Sequence, residues 1–383
     1  MKRAKIIVGL GLGDEGKGIT TDFLSRKTGQ AIVVRYSGGP QAGHTVVNGE
    51  FKHTFSNFGS GTARGLPTYW SEYCTFYPPN ALNEYDILID KGIQPSLYVN
   101  PLAKLTTYWD VAWGRLRERI YNHGSCGIGV GATMMRHEQT PHKLFVIDLK
   151  HGLILHSKLY EIGRYYEAKL KELKLDETME EYYHLQVSAE MRRFFNSLMS
   201  DFIRHTLHRK LLPNDFLQTY PNLIFEGSQG VLLDMDHGVY PNVTYANTTS
   251  KNAIQIIKSL KRRCETEIVY VTRCYLTRHG NGWTPLIIGG VDLINNEDEC
   301  NKQNEWQGSF NVYELDYGLL RYALDVDEAY SYGIPKNLVV TCLDQRPYYK
   351  FKYSMLGREF TSIYNSHSQD SADFEQVKEM AQV

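Results

Sequence analysis

A chain of 383 residues with 42% hydrophobic and 22% charged side chains has the make-up of one large or two ordinary globular domains and is excluded from the disordered classes. Its 42 Lys and Arg against 43 Asp and Glu leave a net charge of −1, which excludes a global basic field for nucleic acid or an anionic membrane but leaves local phosphate binding open. No apolar run approaches the roughly 18 residues of a membrane helix, the basic start breaks at once into glycines, and six scattered cysteines form no CxxC pair. The expectation is a cytoplasmic protein that binds neither nucleic acid nor membrane.

Ala4–Gly9 reads as a short buried strand, an apolar run between charge and glycine. Gly18–Thr28 follows with helical spacing, Ile19, Phe23 and Leu24 on one face, and Ala31–Tyr36 is a second β-branched run. Strand, glycine loop, helix and strand in about 35 residues make a βαβ unit, so the sheet begins parallel. Further strands are expected at Leu144–Ile147, Asn222–Phe225, Glu267–Thr272, Pro285–Ile288 and Asn337–Cys342. The stretch from about 157 to 213 is charged, aromatic and helix-favouring, which predicts a helical insertion over the sheet. The polar tail after about Tyr364 is expected to be loosely held. Residues 1–383 then form a single α/β domain: a large, mainly parallel sheet with a phosphate-loop-like nucleotide site.

Gly11-Leu12-Gly13-Asp14-Glu15-Gly16-Lys17-Gly18 fits GxxxxGK between a strand and a helix. Backbone N–H groups of such a loop, a helix N-terminus and a lysine together cradle phosphate oxygens. The dinucleotide pattern GxGxxG also fits (Gly11, Gly13, Gly16), but that reading has no use for the lysine. An ordinary phosphate loop follows its lysine with a Ser or Thr that holds Mg²⁺; here Gly18 stands there. Asp14 and Glu15 lie inside the loop, where a carboxylate is tolerable if it meets a metal or takes a substrate proton. A second glycine cluster, Gly38-Gly39-Pro40-Gln41-Ala42-Gly43-His44-Thr45, follows the second strand and should face the first loop. His44 there could protonate or polarise an oxygen as charge builds.

These loops resemble signatures of the adenylosuccinate synthetase family: GDEGKG at Gly13–Gly18 and GGxxAGHT at Gly38–Thr45. Gly124–Gly131 is similar to the family's GTTGRGIG, and Phe225–Asp234 with Asp236–Thr244 and Asn247-Thr248-Thr249 to its FEGAQGxLLDxDHGxYPxVTxxNTT segment. Thr277-Arg278 with Gly280 and Gly282 resembles the TRxGxG turn. The resemblance implies a ligase that joins L-aspartate to a purine nucleoside monophosphate at the cost of a nucleoside triphosphate. It assigns Asp14 as the base on N1, His44 as the acid at the γ-phosphate and Lys17 to phosphate, with Mg²⁺ on Asp14 and the Gly43 carbonyl. Gln41, Ser125, Cys126, Gln229 and Thr244 fall to the acceptor nucleotide. Gly13, Glu15, Gly16, Lys17, Gly18, Thr45 and Asp344 fall to the donor. A homodimer is implied, with Arg136 as the arginine nearest to the one that crosses to the partner's nucleotide.

The chain departs from the family in two places. The arginine-rich aspartate loop corresponds here to Asn304–Asp316 without arginine, which leaves Arg273 and Arg278, with Gly308 and Ser309, to receive L-aspartate. The donor-base motif TKLD is Thr341-Cys342-Leu343-Asp344, without its lysine, and the C-terminal STGPxR has no counterpart, so ATP or dATP joins GTP as a donor. Shortness and relaxed donor signatures resemble the phage branch of the family, deoxyguanylosuccinate synthase, which takes dGMP. Retention of Asp14, replaced by serine in some members of that branch, pulls the other way, so dGMP is the expected acceptor and IMP with GTP the alternative. A phosphate-loop protein that has lost ligation is the reading from another class, motivated by the missing arginines.

Overall fold

The computed structural model describes residues 2–122, 124–202, 210–280, 282–285, 291–294 and 309–377. Its strands are β1 (Lys2–Gly9), β2 (Ala31–Arg35), β3 (His44–Asn48), β4 (Phe51–Phe55), β5 (Thr68–Trp70), β6 (Thr75–Phe76), β7 (Leu97–Val99), β8 (Lys104–Leu105), β9 (Asn222–Gly230), β10 (Cys264–Arg273), β11 (Leu276–His279), β12 (Phe310–Tyr313), β13 (Lys336–Thr341), β14 (Ser362–Ser366) and β15 (Phe374–Gln376). The helices are α1 (Lys17–Lys27), α2 (Pro78–Asp90), α3 (Tyr108–Tyr121), α4 (Val130–Gln139), α5 (Gly152–Leu173), α6 (Glu177–Gln186), α7 (Ala189–Phe202), α8 (Lys251–Ser259) and α9 (Tyr317–Ser331).

Nine strands make one sheet in the order β15-β14-β13-β10-β1-β9-β2-β5-β7, parallel throughout except for the β14–β15 pair at its edge. Both faces are covered, which is why β1 reads as a continuous apolar run. Ile6 and Val8 join the larger core with Phe225, Tyr270 and Leu320 of α9, while Ile7 packs with Phe23 and Leu24 of α1 on the other face. A separate core gathers Trp70, Trp109, Trp113, Tyr166 and Phe195, tying α3, α5 and α7 to the β5–β7 end. The helical insertion begins at Gly152, a few residues before the expected start.

β1 and β2 run parallel in one sheet, as expected, with β9 between them, pairing Ile7 with Glu226 and Val34 with Phe225. Two expectations are revised. The run Leu144–Ile147 is not a sheet strand. Phe145 makes one isolated bridge with Lys104, and a 3₁₀ turn, Val146–Lys150, begins directly after it, closed by the Asp148 carboxylate on the Phe145 N–H (2.8 Å). The described part of the tail, up to Val377, is tied down, because β14 extends the sheet and Asp370 accepts from the Gly49 N–H (2.9 Å), while Ser371 bonds to buried Asp22. The strand expected at Pro285–Ile288 falls mostly outside the described residues.

Candidate active site

β1, β2 and β9 end on the same sheet edge, and the two glycine loops with the end of β9 line a cavity of about 810 Å³. The first loop takes its shape from a buried carboxylate. Glu15, 3% exposed, accepts from the Gly11 N–H (3.0 Å) and the Gly13 N–H (2.9 Å) and pairs with Lys17. It is absent from the cavity wall, so the expectation that Glu15 binds the donor is corrected: its charge folds the loop and balances Lys17. Lys17 itself does line the cavity. Gly18 lies in the first turn of α1, where a side-chain Cβ would lie 2.8 Å from the Cβ of His44. The missing Ser or Thr is therefore a steric consequence of bringing the histidine loop against the helix.

Asp14 lines the cavity with φ +62°, a left-handed conformation that a non-glycine residue adopts at a cost. The Arg273 Nε–H donates to its carbonyl oxygen, and His279 Nε2 lies 3.1 Å from its Oδ2. Burial pushes the carboxyl up, but the bond from His279 and the cations Arg273 and Lys17 outweigh it and hold Asp14 below the ordinary carboxylate range. The carboxylate is ionised at neutral pH.

His44 opens β3, and its Nδ1 lies 2.7 Å from Glu226 Oε1 of β9. Burial is the largest influence on the imidazole and lowers it; Glu226 opposes, while Arg35 and Lys17 add to the lowering. Glu226 is fully buried and takes the Ser60 N–H (3.0 Å) and hydroxyl as well. Burial alone would raise its carboxyl, yet His44 and Arg35 keep it below the usual range, so it stays an acceptor and fixes His44 with Nδ1–H donating. Arg35, also fully buried, lies over Trp70 (5.3 Å) and donates to the Ala42 carbonyl (3.3 Å), bracing the histidine loop. Neither Glu226 nor Arg35 was singled out as a functional residue from the sequence. The available signals were the place of Arg35 near the end of a predicted strand and of Glu226 within the FEGAQG-like segment.

Among the other expected site residues, Gly13, Gly16, Gly18, Gln41, Gly43, Thr45, Ser125, Cys126, Gln229, Thr244, Arg273, Arg278 and Asp344 line the same cavity. Gly124 and Ser125 are fastened by their N–H groups to Glu118 (2.6 and 3.0 Å), and burial raises the Cys126 thiol to about 11. Gln41 keeps both amide atoms, and Gln229 its Oε1, buried without a hydrogen-bond partner among the described residues. Buried polar atoms of this kind fit a polar ligand. Gln345 beside Asp344 (2.9 Å), with Arg117, Ser368 and Gln369, also lines the cavity and was not picked out from the sequence. Ser309 lies outside the cavity wall, its carbonyl closing the β11–β12 hairpin on the Gly280 N–H (2.9 Å), and Gly308 lies outside the described residues.

Arg136 is corrected. It is 1% exposed and grips Asp110 through Nε and Nη2, both at 2.8 Å, while Nη1 and Nη2 also reach the His142 and Leu105 carbonyls. Asp110 caps α3 and takes the Tyr166 hydroxyl (2.7 Å). A guanidinium so committed cannot reach a partner's nucleotide. Arg136→Ala should therefore cost about 3–5 kcal/mol in urea unfolding, the price of stranding a buried charge. The KM values of the folded fraction should not move; raised nucleotide KM with unchanged stability would return Arg136 to the site.

The Asp234–His237 segment is likewise structural. Asp234 accepts from the Asp236 and Thr248 N–H groups (2.8 and 2.5 Å), Asp236 takes Asn247 (2.7 Å) and Lys251 (3.1 Å), and His237 meets the Tyr330 hydroxyl (2.8 Å). These bonds fold the segment that carries Asn242, Val243 and Thr244 to the cavity.

A glycine loop with its lysine, a facing histidine and a cluster of arginines around one cavity at the end of a parallel sheet define an α/β nucleotide-binding protein. Residues 6–305 match the adenylosuccinate synthetase family model. The adenylosuccinate synthetase of Thermoplasma volcanium is 28% identical over 346 residues, 87% of this chain and 75% of that protein. That of Helicobacter acinonychis is 30% identical over 288 residues, and the match covers 74% of this chain and 66% of the relative. The chain belongs to the adenylosuccinate synthetase family, whose members are nucleoside-triphosphate-dependent C–N ligases. In fold it is similar to the fully ligated adenylosuccinate synthetase of Plasmodium falciparum (TM-score 0.63, 18% identity, 98% of this chain and 87% of that one). It is also similar to the succinoaminodeoxyadenylate synthetase of cyanophage S-2L, solved with dGMP and dATP (TM-score 0.63, 17% identity, 98% and 95%). Among the described residues no helix is long and apolar enough to cross a membrane.

Proposed function

We propose that this protein condenses L-aspartate with a 6-oxopurine nucleoside monophosphate, dGMP, through a 6-phosphoryl intermediate, drawing the phosphate from ATP or dATP. The observation that carries the ligase reading is the pairing of an ionised Asp14 with a Glu226-oriented His44 on one cavity that also holds Lys17. Asp14 takes the N1 proton of the purine, and the electron pair moves to O6, which attacks the γ-phosphorus as the bond to the leaving diphosphate breaks. The charge of the bound triphosphate favours the imidazolium, so His44 donates from Nε2 to the transferring phosphoryl oxygens while its Nδ1–H stays on Glu226, and Lys17 follows the charge. The amine of L-aspartate then adds at C6, phosphate leaves with the C–O6 bond, and the amine gives up a proton. Arg273 and Arg278, both anchored at the wall, receive the dicarboxylate.

Asp14 and the Gly43 carbonyl are hard oxygen donors on the same wall, a set that suits Mg²⁺. Bound there, the ion would neutralise charge on the transferring phosphate. Assembly as a homodimer is part of the same proposal, its crossing arginine being other than Arg136.

The acceptor reading draws on the eroded donor signatures and on the dGMP and dATP bound by the cyanophage protein. Asp14 and the bacterial and archaeal relatives, all adenylosuccinate synthetases, favour IMP with GTP as the second reading. The deciding measurement is phosphate release with Mg²⁺ and L-aspartate over a grid of IMP, GMP and dGMP against GTP, ATP and dATP. Highest kcat/KM with dGMP and an adenine donor is expected. Activity confined to IMP and GTP would overturn the acceptor, and no aspartate-dependent release with any pair would mean a nucleotide-binding protein that has lost ligation.

A further inference from the structure

The β10–β11 turn holds the first glycine loop at three points. Arg273 Nε bonds to the Asp14 carbonyl, Thr277 Oγ1 donates to the Gly13 carbonyl (3.3 Å), and His279 Nε2 sits 3.1 Å from Asp14 Oδ2. The first two fix the main chain in its left-handed turn, and the third touches the carboxylate. His279 is the last residue of β11, its side chain 15% exposed and its ring against Phe310 of β12 (4.9 Å between centroids). The hairpin register pairs these same two residues, so the imidazole is carried on a short, rigid ribbon.

We propose that His279 is a positioning residue that locks the Asp14 carboxylate in its working rotamer, engaging Oδ2 so that Oδ1 faces the purine N1. The inference rests on Asp14 being the base. A carboxylate on a single χ1–χ2 pair can turn away from a substrate, and proton transfer requires heavy atoms within about 3 Å. Of the other charged groups around Asp14, Lys17 is paired with Glu15, and Arg273 bonds to the Asp14 carbonyl and the Tyr275 hydroxyl. His279 Nε2, in contact with Oδ2 itself, is placed to set the direction of the carboxylate.

The test compares His279→Ala and His279→Gln in the intact enzyme under saturating substrates. The alanine variant should lose about ten- to a hundredfold in kcat, the worth of one bond to an ionised group, with each KM within about twofold. Glutamine, whose amide N–H can reach the same oxygen, should recover most of that loss, and both variants should melt within a few degrees of the parent. Equal loss in the two variants, or an unchanged kcat in both, would overturn the positioning role. A raised KM for L-aspartate at constant kcat would overturn it too, by moving the imidazole onto that substrate. Failure of the base assignment is read separately, from turnover of Asp14→Asn with His279 intact.

Discussion

Asp14→Asn should lower turnover at least about a thousandfold while the protein folds normally, because the amide keeps the size and left-handed backbone of the aspartate and removes the base. Asparagine is the better choice over alanine here. At φ +62° a residue without a local hydrogen-bonding side chain adds a backbone penalty of about 1–2 kcal/mol, and a loss of activity could then be a loss of loop shape. The lowered carboxyl makes the same point from the other side: the structure keeps the half-buried Asp14 ionised by surrounding it with His279, Arg273 and Lys17. An ionised carboxylate held among such charge partners in a cleft marks a functional position. Near-normal turnover of Asp14→Asn, with IMP or dGMP, would remove the base from the proposed chemistry.

His44→Ala is expected to slow the phosphoryl step by roughly a hundredfold or more, measured by chemical quench in a single turnover. Glu226→Gln should cost less, about tenfold, since the amide still meets Nδ1 but no longer dictates which ring nitrogen carries the proton. Loss in the quench with unchanged donor KM separates phosphoryl stabilisation from simple binding. An unchanged single-turnover rate in His44→Ala would reduce the histidine to a structural hydrogen bond on β9.

The motifs most legible in the sequence are those whose chemistry is local. The glycine loop announces itself because strand, tight turn and helix occur within one short segment, and the apolar run of β1 reveals burial on both faces. Glu15 misled because a carboxylate among phosphate-binding glycines reads as a ligand contact. Only the fold reveals that it curls back onto the amides of Gly11 and Gly13. Arg136 misled for a related reason: its partner Asp110 is 26 residues away on another helix, and nothing local marks the pair as buried. The polar tail failed because composition does not register a sheet edge waiting for one more strand.

The sequence by itself determined the parallel α/β class, the loop that carries Asp14 and Lys17, and the loop that carries His44, since periodicity and glycine spacing are properties of short stretches of chain. What only the tertiary structure decided is the strand between them. β9 arrives from the far side of the helical insertion, inserts between β1 and β2, and delivers Glu226 to the Nδ1 of His44. β11 returns His279 to Asp14 in the same way. Strand order and side-chain approach are set by the packing of segments some two hundred residues apart, and no local pattern encodes a contact of that kind.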